Sequence, residues 1–178
     1  MYNFVIAQIF GVLGIIFSVV SMQMKTKKNI MIMLLCLNLA SALNFLFLNS
    51  ISGSLVGFFA VFETFINYLF DSKNKKVPIY VIVFYVIVNL ILGFYSYKGL
   101  LDLIPVVCAL IYCATVCTKK ESNIRKEMFT NQTLWLIYDI IVKAYMFSVS
   151  NVLTLISIVI SMIRFDYKKE VKNGKRKL

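Results

Sequence analysis

The chain is a succession of long apolar segments, separated by short polar connections. A hydrocarbon core of about 30 Å needs roughly 20 apolar residues in helical conformation to cross it. Segments of that length that are apolar all round predict helices, not the alternating strands of an outer-membrane barrel. We predict an all-α integral membrane protein with seven spans, at residues 4–22, 29–48, 52–70, 78–97, 100–117, 128–147 and 149–166.

Composition excludes a water-soluble fold. Hydrophobic residues make up 60% of the chain and charged residues 15%, whereas a soluble domain is about 45–50% apolar and about 25% charged. The net charge of +11 does not indicate a nucleic-acid-binding face, because the basic residues lie in the connections and the C-terminal tail. The partner that this composition predicts is the lipid bilayer.

The basic residues alternate between connections in a way that predicts orientation. Seventeen of the 19 lie after spans one, three and five or in the C-terminal stretch from Arg164 onward, whereas Lys98 follows span four and Lys143 lies within span six. Lysine and arginine near span ends are retained on the cytoplasmic side. We therefore predict a multi-pass protein of the plasma membrane, with the N-terminus outside, the C-terminus in the cytoplasm and an odd number of crossings.

The chain also carries a weak internal repeat. Residues 6–30 align with residues 100–124 without a gap, at an offset of 94 that places Asn44 on Tyr138. A small insertion then brings 52–53 onto 150–151. Two three-helix units of the same orientation require one span between them, which span four supplies. The predicted organisation is a first three-helix repeat at 1–71, a linker helix at 72–98, a second three-helix repeat at 99–167 and a basic tail at 168–178.

Several short motifs carry a family resemblance that extends over nearly the whole chain. They are Ile6-Ala7-Gln8-Ile9-Phe10-Gly11, Leu103-Ile104-Pro105-Val106, Trp135-Leu136-Ile137-Tyr138-Asp139 and Ile163-Arg164-Phe165. On these residues the chain resembles the YgjV-type bacterial inner-membrane proteins. Its 3+1+3 plan looks like that of SWEET sugar transporters and the wider PQ-loop group. SWEET-type sites place an asparagine on the third helix of each repeat, and this chain departs from that pattern, with Asn67 near the end of span three and Asn151 at the start of span seven.

Three ionisable residues stand out at membrane depth, where each costs at least about 2.5–3.5 kcal/mol and therefore needs a reason. They are Glu63 in span three, and Asp139 and Lys143 on one face of span six. The functional interpretation is a polar cavity between the repeats, in which Glu63 binds a proton or cation and the other two hold a polar solute. The structural alternative is that Lys143 extends to the outer interface while pairing with Asp139, and Glu63 makes an interhelical hydrogen bond.

Aromatic and amide side chains extend this candidate site. Trp135 and Tyr138 share a helical face with Asp139 and can stack on a flat solute. Asn44, the repeat mate of Tyr138, is a further candidate, although an asparagine in lipid also serves simply to join helices. The predicted substrate-binding residues are Asn44, Glu63, Trp135, Tyr138, Asp139 and Lys143.

Glycine and proline predict local packing. Gly11, Gly14, Gly53 and Gly57 permit close approach of helices. Pro105 lies within predicted span five, and we expect it to kink that helix.

Two functions remain open from the sequence. The leading hypothesis is a small-solute permease that works by alternating access between the two repeats. The alternative is a receptor, scaffold or partner subunit that transports nothing, and a homo-oligomer is compatible with both. We expect no enzyme, cofactor or metal site, because the chain has no histidine, its four cysteines lack metal-ligand spacing, and it has no nucleophile elbow or phosphate-binding glycine loop.

Overall fold

The computed structural model describes residues 2–48, 51–96, 100–141 and 145–167, and these residues form seven α-helices. A 3₁₀ turn, Leu100–Asp102, precedes the fifth helix, and a π-helical segment, Met162–Tyr167, continues the seventh. The helices are α1 (Tyr2–Gln23), α2 (Lys27–Phe47), α3 (Ile51–Ser72), α4 (Ile79–Ser96), α5 (Leu103–Cys117), α6 (Glu121–Ile141) and α7 (Tyr145–Ser161).

Several of the helices have the length and the apolar surface of membrane-spanning elements. Four stretches are long and apolar enough to cross a bilayer, and α4 and α5 supply two shorter apolar helices. Large apolar side chains cover the outside, among them Phe94, which is 85% exposed, and Ile91, which is 62% exposed. Such a surface is stable in lipid and not in water. The prediction of an all-helical, multi-pass membrane protein is confirmed. The four long stretches are Phe4–Gln23, Lys27–Phe47, Ser54–Ser72 and Phe147–Tyr167.

The helices follow one another around a ring. From α1 to α3 and from α5 to α7, each packs against the next; α7 returns to α1, and α3 contacts α5. The fourth helix packs on α5 and touches α3, so it covers the seam between them and presents its apolar outer side to lipid. Two seams therefore join α1–α3 to α5–α7, one between α1 and α7 and one between α3 and α5.

The buried apolar core lies toward the end of the bundle that carries the lysine-rich connections, which we call the basic end. Met22 at the end of α1 and Ile30 near the start of α2 pack there with Ile124 and Met128 of α6 and Ile158 of α7. Because this cluster draws side chains from both halves of the ring, apolar packing holds the halves together at the basic end.

The sixth helix begins earlier than the sequence predicts. It starts at Glu121 instead of residue 128, and its first turns contain Arg125, which is only 1% exposed. The guanidinium donates one hydrogen bond of 2.7 Å to Asp166 and another of 2.9 Å to the carbonyl oxygen of Met24. Arg125, one of the basic residues that the sequence analysis counted in the connection after span five, is thus a buried residue of α6. A paired guanidinium is tolerated inside protein at the membrane boundary, whereas an unpaired one is not.

The predicted kink at Pro105 was also wrong. The fifth helix starts at Leu103, so Pro105 lies in its first turn. Backbone N–H groups in the first turn have no intrahelical partner, and proline therefore removes no hydrogen bond there.

Close packing at glycine occurs where α2 meets α3. A Cβ atom on Gly57 would lie 2.9 Å from both Cα and Cβ of Ala42, and one on Gly11 would lie 3.1 Å from the amide nitrogen of Asn44. The corresponding contacts of Gly14 are at 3.8 Å, an ordinary separation. The predicted close approach is confirmed at Gly57 and Gly11, and the surroundings of Gly53 lie outside the described side chains.

We expect Gly57→Ala to lower the free energy of unfolding by about 1–3 kcal/mol, because the added methyl group meets the backbone of α2 and forces the helices apart. Gly14→Ala is the matched control and should be neutral or slightly stabilising, since alanine is the better helix former. Thermal unfolding of the purified protein in detergent measures both. Equal stability of the two variants would contradict the packing described here.

Candidate functional site

Polar side chains form a layer across the middle of the bundle. In lipid, each must find its partner within the protein, because no water is present to supply one. We call these residues the polar layer: Ser18 on α1, Asn38 on α2, Glu63 and Thr64 on α3, Asn89 on α4, Tyr112 on α5, Gln132 on α6 and Thr154 on α7.

Hydroxyl and amide groups join α1 to α7. The side-chain oxygens of Ser18 and Thr154 lie 2.8 Å apart in a hydrogen bond. One turn further toward the basic end, the amide of Gln23 donates to the hydroxyl of Ser157 at 2.9 Å and to its carbonyl oxygen at 2.7 Å. Ser157 in turn donates to the carbonyl oxygen of Val19 at 2.7 Å. This seam is therefore polar along about two helical turns.

A second polar seam joins α3 to α5, and α2 contributes to it. The hydroxyls of Thr64 and Tyr112 are hydrogen-bonded at 2.7 Å. Asn38 donates to Tyr112 at 2.6 Å and to Thr64 at 3.0 Å, so one amide bridges both. Toward the basic end, the thiol of Cys117 donates to Asn67 at 3.4 Å.

Glu63 faces the linker helix α4. Its side chain is 1% exposed, and its carboxyl oxygen accepts a hydrogen bond of 2.7 Å from Asn89. Asn67, one turn along α3, donates to the carbonyl oxygen of Glu63 at 2.7 Å and to the hydroxyl of Tyr85 at 3.3 Å. The carboxyl group thus lies in a buried network between α3 and α4, beside the second seam.

Asp139 lies on the other side of the ring. It is 6% exposed, and its carboxyl oxygen accepts a hydrogen bond of 2.7 Å from Asn151 on α7. Lys143 lies outside the described residues, so its predicted pairing with Asp139 stays a prediction.

The remaining sequence-predicted residues are divided between two places. Trp135 and Tyr138 are half-buried and meet edge to face on α6, with ring centroids 5.8 Å apart, on the same helix as Asp139. Asn44 instead donates to the carbonyl oxygen of Ala7 on α1 at 2.6 Å. The structure therefore brings together the residues of α6, whereas Asn44 and Glu63 make their hydrogen bonds on other helices. A substrate-binding role for these residues stays a prediction.

Gln132 is a residue of the polar layer that the sequence analysis did not single out. Gln132 is 9% exposed, and its amide oxygen is a buried acceptor with no hydrogen-bond partner within the described part of the chain. The repeat offset of 94 places Asn38 on Gln132, and this correspondence is the signal that could have identified it.

We expect Tyr112→Phe to destabilise the protein by about 1–2 kcal/mol, because the loss of its hydroxyl removes one hydrogen bond from Asn38 and one from Thr64, and lipid supplies no replacement. Tyr95→Phe is the control, since Tyr95 is 90% exposed. Thermal unfolding in detergent provides the measurement. If the Tyr112 variant is as stable as the control, the hydrogen bonds of the Tyr112 hydroxyl contribute nothing to the free energy of unfolding.

The comparisons with known proteins bear on the chain as a whole. Residues 5–169 match the family model Imp-YgjV, described as a bacterial inner membrane protein. The searches of curated proteins and of solved structures gave no match. The matched region contains every helix from α2 to α7, both polar seams and most of α1. The chain belongs to the Imp-YgjV family of bacterial inner membrane proteins.

Proposed function

We propose that this inner membrane protein is a permease for a small polar solute, in which two three-helix units, α1–α3 and α5–α7, rock about a site in the polar layer. We further propose that the basic end is cytoplasmic, which places the N-terminus outside. The observation that carries the proposal is the pairwise correspondence between the two polar seams. At the depth of the polar layer both seams are made by hydrogen bonds, so both can exchange hydrogen-bond partners as the units move.

The correspondence follows from two pairs of contacts. An offset of 94 residues relates Ser18 to Tyr112, and an offset of 90 relates Thr64 to Thr154, so the Ser18–Thr154 contact corresponds to Tyr112–Thr64. The same offsets relate the Gln23–Ser157 contact to Cys117–Asn67.

A two-fold axis between parallel repeats generates this pattern, and the ring order of the helices agrees with it, because it exchanges the α1–α7 seam with the α5–α3 seam.

The seam contacts favour an alignment of α3 with α7 that differs from the one suggested by the sequence. Placing 52–53 on 150–151 requires an offset of 98, whereas the seam contacts pair at 90. The second repeat is then four residues shorter than the first over this stretch, which argues for a deletion in place of an insertion. The side chains of 52–53 lie outside those described, so the seam contacts carry the argument.

The same correspondence between the repeats identifies the residues that we propose bind the solute. Asn38 and Gln132 are mates at the offset of 94, and Asn38 already reaches across to α5. Gln132 offers a buried acceptor that is not yet used. A solute bound between the units would take hydrogen bonds from this pair, with Trp135, Tyr138 and Asp139 on the same helix as Gln132. Glu63, next to Thr64 of the second seam, would carry a proton or cation.

The receptor or scaffold alternative has a specific observation in its favour. Asn44, Glu63 and Asp139 each make a hydrogen bond of 2.6–2.7 Å to a neighbouring helix. Side chains satisfied in this way stabilise a bundle without transporting anything. Measurement of solute flux separates the two functions.

In proteoliposomes tested over a panel of small polar metabolites, we expect wild-type protein to take up at least one solute. Gln132→Leu should reduce that uptake about tenfold, the effect of losing one hydrogen bond worth about 1.4 kcal/mol. Thr133→Ala, a neighbour whose hydroxyl bonds only to its own helix at Phe129, is the control. Absence of uptake for the entire panel by correctly folded protein would favour the receptor or scaffold.

Charge coupling is tested separately with Glu63→Gln and Asp139→Asn, which keep the shape of each side chain. If Glu63 carries the coupling proton or cation, Glu63→Gln should abolish stimulation of uptake by an imposed ion gradient, while solute exchange at equilibrium persists. Asp139→Asn should instead weaken the apparent solute affinity. Unchanged flux in both variants would remove these two residues from the site.

A further inference from the structure

A cavity of about 240 Å³ opens at the basic end, apart from the polar layer. It lies where the start of α2, the end of α3, the start of α4 and the end of α5 meet. Its lining consists of four lysines, one carboxylate, an amide, a thiol and two apolar side chains: Lys27, Lys75, Lys76, Lys119, Asp71, Asn67, Cys117, Val77 and Ile82.

Charge is strongly unbalanced in this cavity. The ammonium group of Lys27 is buried and lies 3.0 Å from the carboxylate of Asp71, so these two charges offset each other. The remaining lysines, Lys75, Lys76 and Lys119, have no carboxylate among the other lining residues to balance them. Three cations facing a common concave space create a positive potential that attracts anions.

The backbone fixes two of these lysines in place. Helix α3 ends in a Schellman motif, in which the N–H of Lys75 donates to the carbonyl oxygen of Phe70 at 2.9 Å and that of Asn74 to Asp71 at 2.9 Å. Asn74 has a φ of 53°, a left-handed conformation that asparagine tolerates better than most residues. The chain is thereby turned back, and Lys75 and Lys76 line the same cavity as Asp71.

The size and chemistry of the cavity select the class of ligand. Its volume falls below the roughly 300–1,000 Å³ of sites for drug-sized molecules, so it suits a compact group. Lysines act as point charges and supply several donors to a tetrahedral anion, without the planar fork that arginine offers a carboxylate. At the inner end, the Asn67 and Cys117 pair adds polar atoms, with the sulfur 3.4 Å from the amide oxygen.

We propose that this cavity binds a phosphate group, carried either by the headgroup of an anionic phospholipid or by a small soluble molecule. Basic pockets between membrane helices near the cytoplasmic surface are suited to lipid phosphates. The site does not depend on the proposed transport activity, and it would serve equally in a receptor or scaffold.

The test compares two triple variants of equal charge. Lys75→Gln/Lys76→Gln/Lys119→Gln removes the unbalanced charge of the cavity. Lys25→Gln/Lys28→Gln/Lys120→Gln removes three exposed lysines at the same end of the bundle, outside the cavity lining. All six side chains are exposed, so both variants should fold like the full-length wild type, which thermal unfolding verifies.

In the lipid arm, the full chain is placed in nanodiscs of phosphatidylcholine with or without phosphatidylglycerol, and retained lipid is counted by native mass spectrometry after release. In the soluble arm, inorganic phosphate is titrated into phosphatidylcholine nanodiscs by calorimetry. We expect wild type to bind at least one of these probes. The cavity variant should bind it about tenfold more weakly, and the control variant less than twofold more weakly.

Asp71→Asn provides a gain-of-function test, because it removes the carboxylate that repels an anion and frees the ammonium of Lys27. We expect it to bind the same probe several-fold more tightly than wild type. Retention of phosphatidylglycerol alone would identify a lipid headgroup as the source, and a response to inorganic phosphate alone a soluble one. Equal losses in the two triple variants, or no binding in either arm, would overturn the proposal.

Discussion

The structure depends on a single constraint, which is that a polar group in lipid must find its hydrogen-bond partner inside the protein. Apart from the amide oxygen of Gln132, the polar layer obeys it largely by pairing across helices, as Ser18 does with Thr154 and Asn38 with Tyr112. Exchanging one of these hydrogen bonds for another costs little free energy, whereas losing it without a replacement costs much more. The layer therefore orients the helices strongly while leaving room for a change of partners, which is the property that alternating access requires.

The basic end is held together more tightly than the middle. Arg125 joins α6 to the connection after α1 and to the π-helical segment, and it also lies over the ring of Phe165 with 5.1 Å from its guanidinium carbon to the ring centre. Lys27 ties the start of α2 to the end of α3. With the apolar cluster around Ile30 and Ile124, these contacts close the bundle at this end. In a permease, opening toward this side would require them to separate.

Much of the fold could be predicted from the sequence, because apolar length and helix formation in lipid are local properties. The long apolar stretches, the short connections and the close approach at Gly57 follow from residue type and spacing. Helix boundaries followed less well. The polar first turns of α6 looked like a connection until Asp166 and Met24 were seen to satisfy Arg125, and Pro105 looked like a kink until α5 was seen to begin beside it.

The candidate site was predictable in residue type but not in grouping. The free-energy cost of placing an ionisable side chain inside the membrane is enough to identify Glu63 and Asp139 as candidate site residues. Which partner each takes, Asn89 on α4 or Asn151 on α7, depends on how the helices are rotated and packed, and this is a long-range property that the periodicity of a single helix does not contain. The sequence by itself determined that this chain folds as a set of helices in a membrane. The free energy of transferring apolar side chains from water into lipid is approximately the sum of the contributions of the individual residues, so it can be read from the sequence. Only the tertiary structure decided which polar groups meet, including the seam contacts and the lysines around the basic cavity, because hydrogen bonds and cavities exist only between elements.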